Sequence, residues 1–412
     1  MLAADAEIIA VGSELLTHQR IDTNSLYLTE QLNALGVEVR RKLIVGDDRA
    51  LLTAAVNHAL AHVGIVVLTG GLGPTEDDIT RDAVAAAFGR SLVFRQDICD
   101  QIEDRFRRFN RKMAEINRRQ AYLVEGADLL PNPRGTAPGQ WIEQDGRVAM
   151  LLPGPPGELK PMFASECVPR LEQRLPPQVI RTRFYGVAGM TESELDQLIS
   201  PVYSKYTNPA TTILAAPGDI QVHLRARCAT LEETERLFSE VCGPIEELLG
   251  DRIYSREGET LETVVGNLLR ERGGTLSVAE SLTGGLLGER ITLVPGSSDY
   301  FVGGFIAYSD RLKTELLGVD ASLIERRSAV SEEVALAMAE GARSRTRSTY
   351  AVSVTGEAGP VSASGAPPGR VYIGLAGPGP SETRHFQFPG DRTRVRTLAA
   401  QTALDFLRRR IR

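Results

Sequence analysis

The stretch SVAESLTGG, residues 277–285, leaves a strand-like run and enters a turn of small residues. That position suits Ser281 for one of two jobs, nucleophile or helix cap. Beyond residue 257 the chain holds no cysteine and a single histidine, His385, in the alternating stretch TRHFQF, which reads as a strand histidine rather than a base. Amide hydrolysis in this region would therefore need a Ser or Thr nucleophile and a proton acceptor other than histidine. Lys313 is the only lysine after residue 257, five residues beyond Tyr308 and just after the strand-like GGFIAYS. An arginine does not release its proton in a protein, whereas a desolvated lysine does. A tyrosine and a lysine at a strand end can relay a proton from a serine without histidine.

A second group of residues lies near the amino end. GSELL (12–16), GDD (46–48) and TGGLGPTEDDIT (69–80) are polar turns that each follow an apolar strand-like run. In an open parallel sheet, ligands bind at this carboxyl edge. Gly70, Gly71 and Gly73 let a backbone approach a phosphate, and a helix starting near Ile79 would offer free N–H groups to an anion. Glu14, Asp47, Asp77 and Asp78 have the chemistry to hold a divalent cation, Mg or similar, against that phosphate. The alternative is that Asp77 or Asp78 caps the helix and the glycines only turn the chain.

Positioning such groups takes sheets. EIIAVG, VEVRRKLIVG and GIVVLTGG alternate with the helical patterns NSLYLTEQLNALG and RALLTAAVNHALAHV, which is βαβ grammar and predicts a parallel sheet covered on both faces. LLPGPPGELKPMF and RLPPQVIRTRF break this pattern and read as a hinge. Residues 173–256 read as a small α+β module, with helices at TESELDQLISPVYSKY and LEETERLFSEVCGPIEELLG. From residue 257, GTLSVAES, YFVGGFIAYS, TYAVSVTG and GRVYIGLAG supply strands between amphipathic helices. The expected architecture is two α/β domains, 1–172 and 257–412, joined by the α+β module.

The chain has 412 residues, enough for several cores, and carries a formal net charge of −6. No leader pattern and no membrane-length apolar run stands in it, so the expected location is the cytoplasm, without a membrane partner. Cys99, Cys167, Cys228 and Cys242 are widely spaced, which argues for buried filler rather than a disulfide framework or a thiolate metal site. The basic run RRRIR at the end finishes a helix more readily than it grips nucleic acid.

GSELL, DTNS, GGLGPTEDDIT, NRRQA, NPRGTAPG and LPGPPGE resemble the N-terminal half of the competence/damage-inducible CinA family, a domain similar to the molybdopterin-binding proteins MoaB and MogA. AESLTGG, PGSSDYFVGGFIAYS, AVSEEVA and TGEAGP resemble its C-terminal half, the PncC-type nicotinamide mononucleotide deamidase. The resemblance implies a KH-like middle module, yet GVAG (186–189) lacks flanking Lys or Arg, which argues against RNA. It implies cleavage of ADP-ribose with a divalent metal in the N-terminal domain, where Asp78 and Asp47 would be metal or phosphate residues and Gly71 and Gly73 the phosphate loop. For the C-terminal domain it implies a Ser281, Tyr308, Lys313 constellation with no cofactor. Thr283, Gly284 and Gly285 would supply helix-start N–H groups to the oxyanion or the ligand phosphate. Gly296 and Ser298 of PGSS, with Thr355, match family positions lining the nucleotide site, and Arg392 and Arg396 suit the monophosphate.

Two departures stand out: Leu282 where the family usually has cysteine, and Glu357 at the head of an altered 357–369 loop. The expected function is hydrolysis of nicotinamide mononucleotide to nicotinate mononucleotide and ammonia, in a homodimer by default. The alternatives are a non-enzymatic adaptor that binds a recombination or competence protein, and a pterin-nucleotide binder.

Overall fold

The structure is a computed structural model that describes residues 2–359 and 368–412. The chain divides into two compact units, Met1–Arg181 with Ala226–Arg236, and Thr182–Arg225 with Leu237–Arg412.

The first unit is built on a six-stranded sheet. Its elements run β1 (Asp5–Val11), α1 (Thr23–Ala34), β2 (Glu38–Val45), α2 (Arg49–His62), β3 (Ile65–Thr69), α3 (Thr80–Phe88), β4 (Leu92–Phe94), α4 (Gln96–Arg108), β5 (Tyr122–Val124), β6 (Asp128–Leu130), β7 (Gly139–Gln144), β8 (Arg147–Leu152), α5 (Pro156–Met162) and α6 (Val168–Glu172). The strand order is β2-β1-β3-β8-β7-β6, with β4 and β5 forming a separate pair. Strands β2, β1, β3 and β8 are parallel, as the βαβ pattern requires, whereas β7 and β6 join as antiparallel strands. That antiparallel edge is a departure from the parallel sheet expected. β7 and β8 are joined by the Asp145–Gly146 turn, whose two residues both take a positive φ.

Strand β1 is apolar on both faces because helices cover both. Ile9 and Val11 enter one core with Val66 and Leu68 of β3, and Ile8 enters the other with Ile65 and Val67. Of the cysteines, Cys99, Cys167 and Cys242 are buried and all four are unbridged. Burial pushes the Cys167 thiol up to about 12.

The middle of the chain supplies β9 (Val179–Val187), α7 (Glu192–Tyr203), β10 (Ala210–Ala216), β11 (Asp219–Cys228), α8 (Leu231–Leu249) and β12 (Ile253–Ser255), with sheet order β10-β11-β9-β12. Thr191 starts α7 in a capping box: its hydroxyl accepts from the Glu194 N–H while the Glu194 carboxylate takes the Thr191 N–H.

The remaining elements are α9 (Leu261–Glu271), β13 (Leu276–Glu280), α10 (Leu286–Thr292), β14 (Phe301–Ile306), α11 (Asp310–Leu317), α12 (Ala321–Arg327), α13 (Glu332–Thr346), β15 (Tyr350–Gly356), β16 (Arg370–Ala376), β17 (Glu382–Gln387) and α14 (Arg392–Ile411). Their sheet has the order β14-β13-β15-β16-β17, parallel across the first three strands and antiparallel beyond. Leu276, Val278, Val352 and Val354 point into the core shared with α9 and α14, and Ala279 and Ala351 into the core under α13. No described helix is long and apolar enough to cross a membrane.

Candidate active site

The carboxyl ends of β14, β13 and β15 lie side by side. Glu280 is paired with Ile306 on one side and Val354 on the other. The Ala307 N–H donates to the Glu280 carbonyl at 2.8 Å and the Ser281 N–H to the Val354 carbonyl at 2.9 Å. At these contacts and one residue past them the chain presents Ser281, Tyr308 and Thr355 along a single sheet edge.

Lys313 lies in the first turn of α11, five residues beyond Tyr308. Ser309 caps that helix through its hydroxyl, and the Lys313 N–H donates to the Ser309 carbonyl at 3.1 Å. The Lys313 side chain is 2% exposed, and its Nζ donates to Asp310 Oδ1 at 3.3 Å. A buried lysine amine with one long hydrogen bond has given up most of its hydration.

Helix α14 brings two guanidiniums to the same edge. Arg392 Nη2 donates to the Tyr308 hydroxyl at 2.8 Å, and Arg396 donates through Nε at 3.2 Å and Nη2 at 2.6 Å to the Thr283 carbonyl. The helix can be anchored here because Val395, Ala399, Ala403, Leu404, Leu407 and Ile411 form an apolar stripe buried on the core.

The turn carrying Ser281 is shaped by a residue the sequence reading passed over. Glu280 is 1% exposed, and its carboxylate accepts the N–H groups of Gly285 at 2.9 Å, Leu287 at 3.0 Å and Gly288 at 2.8 Å. Gly284 and Gly285 take φ of 59° and 101°, which is why the turn needs glycine there. The Gly284 N–H donates to the Ser281 carbonyl at 3.2 Å. The N–H groups of Gly284 and Gly285 are thus spent inside the turn, which corrects the expectation that they serve an oxyanion or phosphate. An acid next to a Ser-x-x-Gly-Gly turn was the signal for Glu280.

Gly296 and Ser298 do not join this group. They precede β14, at its amino end, where Arg270 Nη2 donates to the Pro295 carbonyl at 2.9 Å. Six residues of strand separate them from Tyr308, roughly 20 Å at the usual rise. Thr355 reaches the edge, but its hydroxyl donates to the Ala329 carbonyl at 2.9 Å. Leu282 is buried in the main core. A cavity of about 730 Å³ opens between Asp310, Ile324, Ala329 and Glu357. The altered loop after Glu357 falls largely on residues 360–367, outside the described residues. His385 lies on the edge strand β17, beside Tyr372.

In the first unit, a cavity of about 680 Å³ at the carboxyl edge is lined by Glu14, Asp47, Asp77, Asp78 and the glycines of the 70–73 turn. Asn24 closes it, donating to Thr69 Oγ1 at 3.1 Å and to the Gly154 carbonyl at 2.7 Å, and so ties DTNS, TGG and LPGPPGE together. The carboxylates do not form a cage. Asp78 accepts from the Gly73 N–H at 2.7 Å, the Thr75 N–H at 2.8 Å and the Thr75 hydroxyl at 2.5 Å. Asp47 accepts from the Ser13 N–H at 3.0 Å, and Asp77 is exposed at the rim. No three acidic, His or Cys groups among the described residues are arranged to hold a metal ion. Asp78 braces the loop, and among the described residues no all-protein cage for a divalent ion is formed.

The phosphate loop is likewise partly closed, with the Gly70 N–H donating to the Leu152 carbonyl and the Gly73 N–H to Asp78. The Gly71 carbonyl accepts the Thr80 N–H at 3.2 Å. Arg81, buried beneath, donates to the Leu72 and Gly73 carbonyls at 2.7 Å each; burial lowers its guanidinium from the ordinary value.

Three family models match the chain: the probable molybdopterin binding domain over residues 7–173, the damage-inducible protein CinA KH domain over 182–255, and the CinA C-terminal domain over 258–411. A CinA-like protein of Solibacter usitatus is 60% identical over 408 residues, covering 99% of this chain and 98% of its own. A putative competence-damage inducible protein of Caldicellulosiruptor saccharolyticus is 41% identical, covering 98% of this chain and 99% of its own. A crystal structure of a competence-damaged protein (CinA) superfamily protein from Klebsiella pneumoniae aligns with 37% of this chain and 95% of its own, at 31% identity and a TM-score of 0.36. With the same three domains in order along its whole length, the chain belongs to the CinA family.

Proposed function

We propose that the C-terminal region hydrolyses the carboxamide of nicotinamide mononucleotide, giving nicotinate mononucleotide and ammonia. The observation that supports this reading is that Ser281 and Tyr308 follow the carboxyl ends of neighbouring strands, where α14 sets Arg392 on the Tyr308 hydroxyl and Arg396 on the Thr283 carbonyl; Lys313 is buried five residues beyond Tyr308. Ser281 Oγ attacks the carbonyl carbon and gives its proton toward Lys313 through or beside Tyr308. The C–N bond breaks, the nitrogen leaves as ammonia with that proton, and water then hydrolyses the ester to free Ser281. Arg392 and Arg396 receive the monophosphate through paired N–H donors. Ammonia release from nicotinamide mononucleotide by the full chain tests the reading. A folded protein that releases none would favour the adaptor role instead.

For the N-terminal domain we propose binding of ADP-ribose in the 680 Å³ cavity, supported by its place at the carboxyl edge of the parallel strands. The match to a molybdopterin binding domain favours a second reading, a pterin nucleotide. Titration calorimetry with each ligand, in chelator and again with magnesium, separates them.

A further inference from the structure

Helix α2 carries two histidines four residues apart, His58 and His62, a spacing that puts both on one face. Leu52, Val56 and Ala59 anchor the helix on the core, and its end is pinned by the buried Val63, whose N–H donates to the Ala59 carbonyl at 3.0 Å. Both imidazoles are exposed, at the far end of the helix from Asp47, and neither lines the cavity of about 680 Å³. The rings meet at 4.2 Å between centroids with their planes at 71°, and their Nδ1 atoms are 2.9 Å apart. His62 Nδ1 also lies 2.7 Å from the His58 carbonyl oxygen, which can only accept, so His62 Nδ1 carries the proton. His58 Nδ1 is then the acceptor across the gap, with its lone pair turned toward His62.

We propose that His58 and His62 form a bidentate site for a late transition-metal cation, copper(II) or nickel(II). The site stands apart from the amide chemistry and from the nucleotide cavity. With metal–imidazole bonds of about 2.0–2.1 Å, two nitrogens 2.9 Å apart subtend about 90° at the cation, the angle between neighbouring ligands in a square-planar or octahedral shell. A tetrahedral shell would hold them about 3.4 Å apart, so zinc fits this pair less well. On binding, the cation takes the place of the proton between the rings. That proton leaves His62 Nδ1 and Nε2 takes one up from solvent, so both rings stay neutral and each Nδ1 gives its lone pair to the metal. Two imidazoles leave the other coordination positions to water or to donor atoms of another molecule.

The test is titration calorimetry of the full chain, free of any polyhistidine tag, with copper(II), nickel(II) and zinc(II) salts, repeated on His58→Gln, His62→Gln and His18→Gln. The parent should bind copper(II) and nickel(II), with nickel held more tightly than zinc. His58→Gln and His62→Gln should each weaken nickel binding about tenfold or more, because a second ligand on the same helix acts at high effective concentration. His18→Gln, at another exposed histidine, should leave it unchanged. The metal-free melting temperatures of the variants should match the parent, since both positions are exposed, and the rise in Tm that nickel gives the parent should be lost in His58→Gln and His62→Gln. At one equivalent of copper(II), electron paramagnetic resonance should show two imidazole nitrogens in the parent and one in each of these two variants. Parent affinity in either variant, zinc binding tighter than nickel, or a copper spectrum with a single nitrogen in the parent would each overturn the assignment.

Discussion

Arg392, the first residue of α14, donates a 2.8 Å hydrogen bond from Nη2 to the hydroxyl of Tyr308, which lies 84 residues earlier at the end of β14. The Tyr308 oxygen is therefore an acceptor, and its own proton points away from Arg392. Arg392→Ala removes a charged donor. It should raise KM for nicotinamide mononucleotide roughly 10-fold or more, as expected for a charged hydrogen bond worth about 1.5–3 kcal/mol. Steady-state kinetics of that variant and of Tyr308→Phe check this, because a binding role moves KM and a proton role moves kcat.

If Lys313 shuttles the Ser281 proton, Lys313→Arg should lose about 10²-fold or more in kcat, nearly as much as Lys313→Met. A Lys313→Arg protein with close to parent kcat, and a loss confined to KM, would mean that the charge alone matters.

The Glu280 carboxylate gathers three backbone N–H groups of the turn and α10. Glu280→Gln keeps one acceptor and turns an NH₂ against donors, so unfolding free energy should fall by about 2–3 kcal/mol. Denaturant melts measure it, and an unchanged midpoint would show that the turn is held by other contacts.

In the first unit, Asp78 braces the Gly-rich loop through the Gly73 and Thr75 N–H groups. Asp78→Asn should speed hydrogen exchange at the Gly73 and Thr75 amides about tenfold or more, without added metal, since the loss of a charged acceptor of about 1.5–3 kcal/mol opens the loop locally. Exchange rates that respond to magnesium in the parent and not in the variant would instead return Asp78 to a metal role.

Glu262 and Arg290 form a half-buried pair at 2.6 Å, joining α9 to α10. Burial pushes the Glu262 carboxyl up, but the hydrogen bond and charge of Arg290 outweigh it and leave it below its ordinary value of 4.5. A carboxyl depressed in the folded state stabilises above the unfolded value, and that contribution fades as pH falls through the folded one. Glu262→Gln should therefore melt below the parent at neutral pH. The two curves should converge as pH falls below 4.5 and through the lower folded value, a result that thermal melts across that range would show.

Sequence alone determined which chemistry the C-terminal region could attempt. With no cysteine after residue 257 and only His385 in a strand-like stretch, a Ser or Thr nucleophile was left, the resemblance to the family singled out Ser281, Tyr308 and Lys313, and the periodic patterns located the strands beside them. Helix and strand runs such as α1, α2 and α7 were legible because their apolar spacing and caps are local properties. What the sequence could not say is where each donor and acceptor is spent, because that depends on partners far along the chain. The antiparallel edge of β6 and β7 was missed because pairing direction is set by neighbours rather than by strand composition. Tertiary structure alone placed Gly296 and Ser298 at the amino end of β14 and engaged the Gly284 and Gly285 N–H groups within their own turn. It turned Asp78 inward onto Gly73 and Thr75, and left the Thr283 hydroxyl unpaired among the described residues. A carboxylate or hydroxyl reads the same in any sequence, and only its folded surroundings decide whether its lone pairs and protons are already taken.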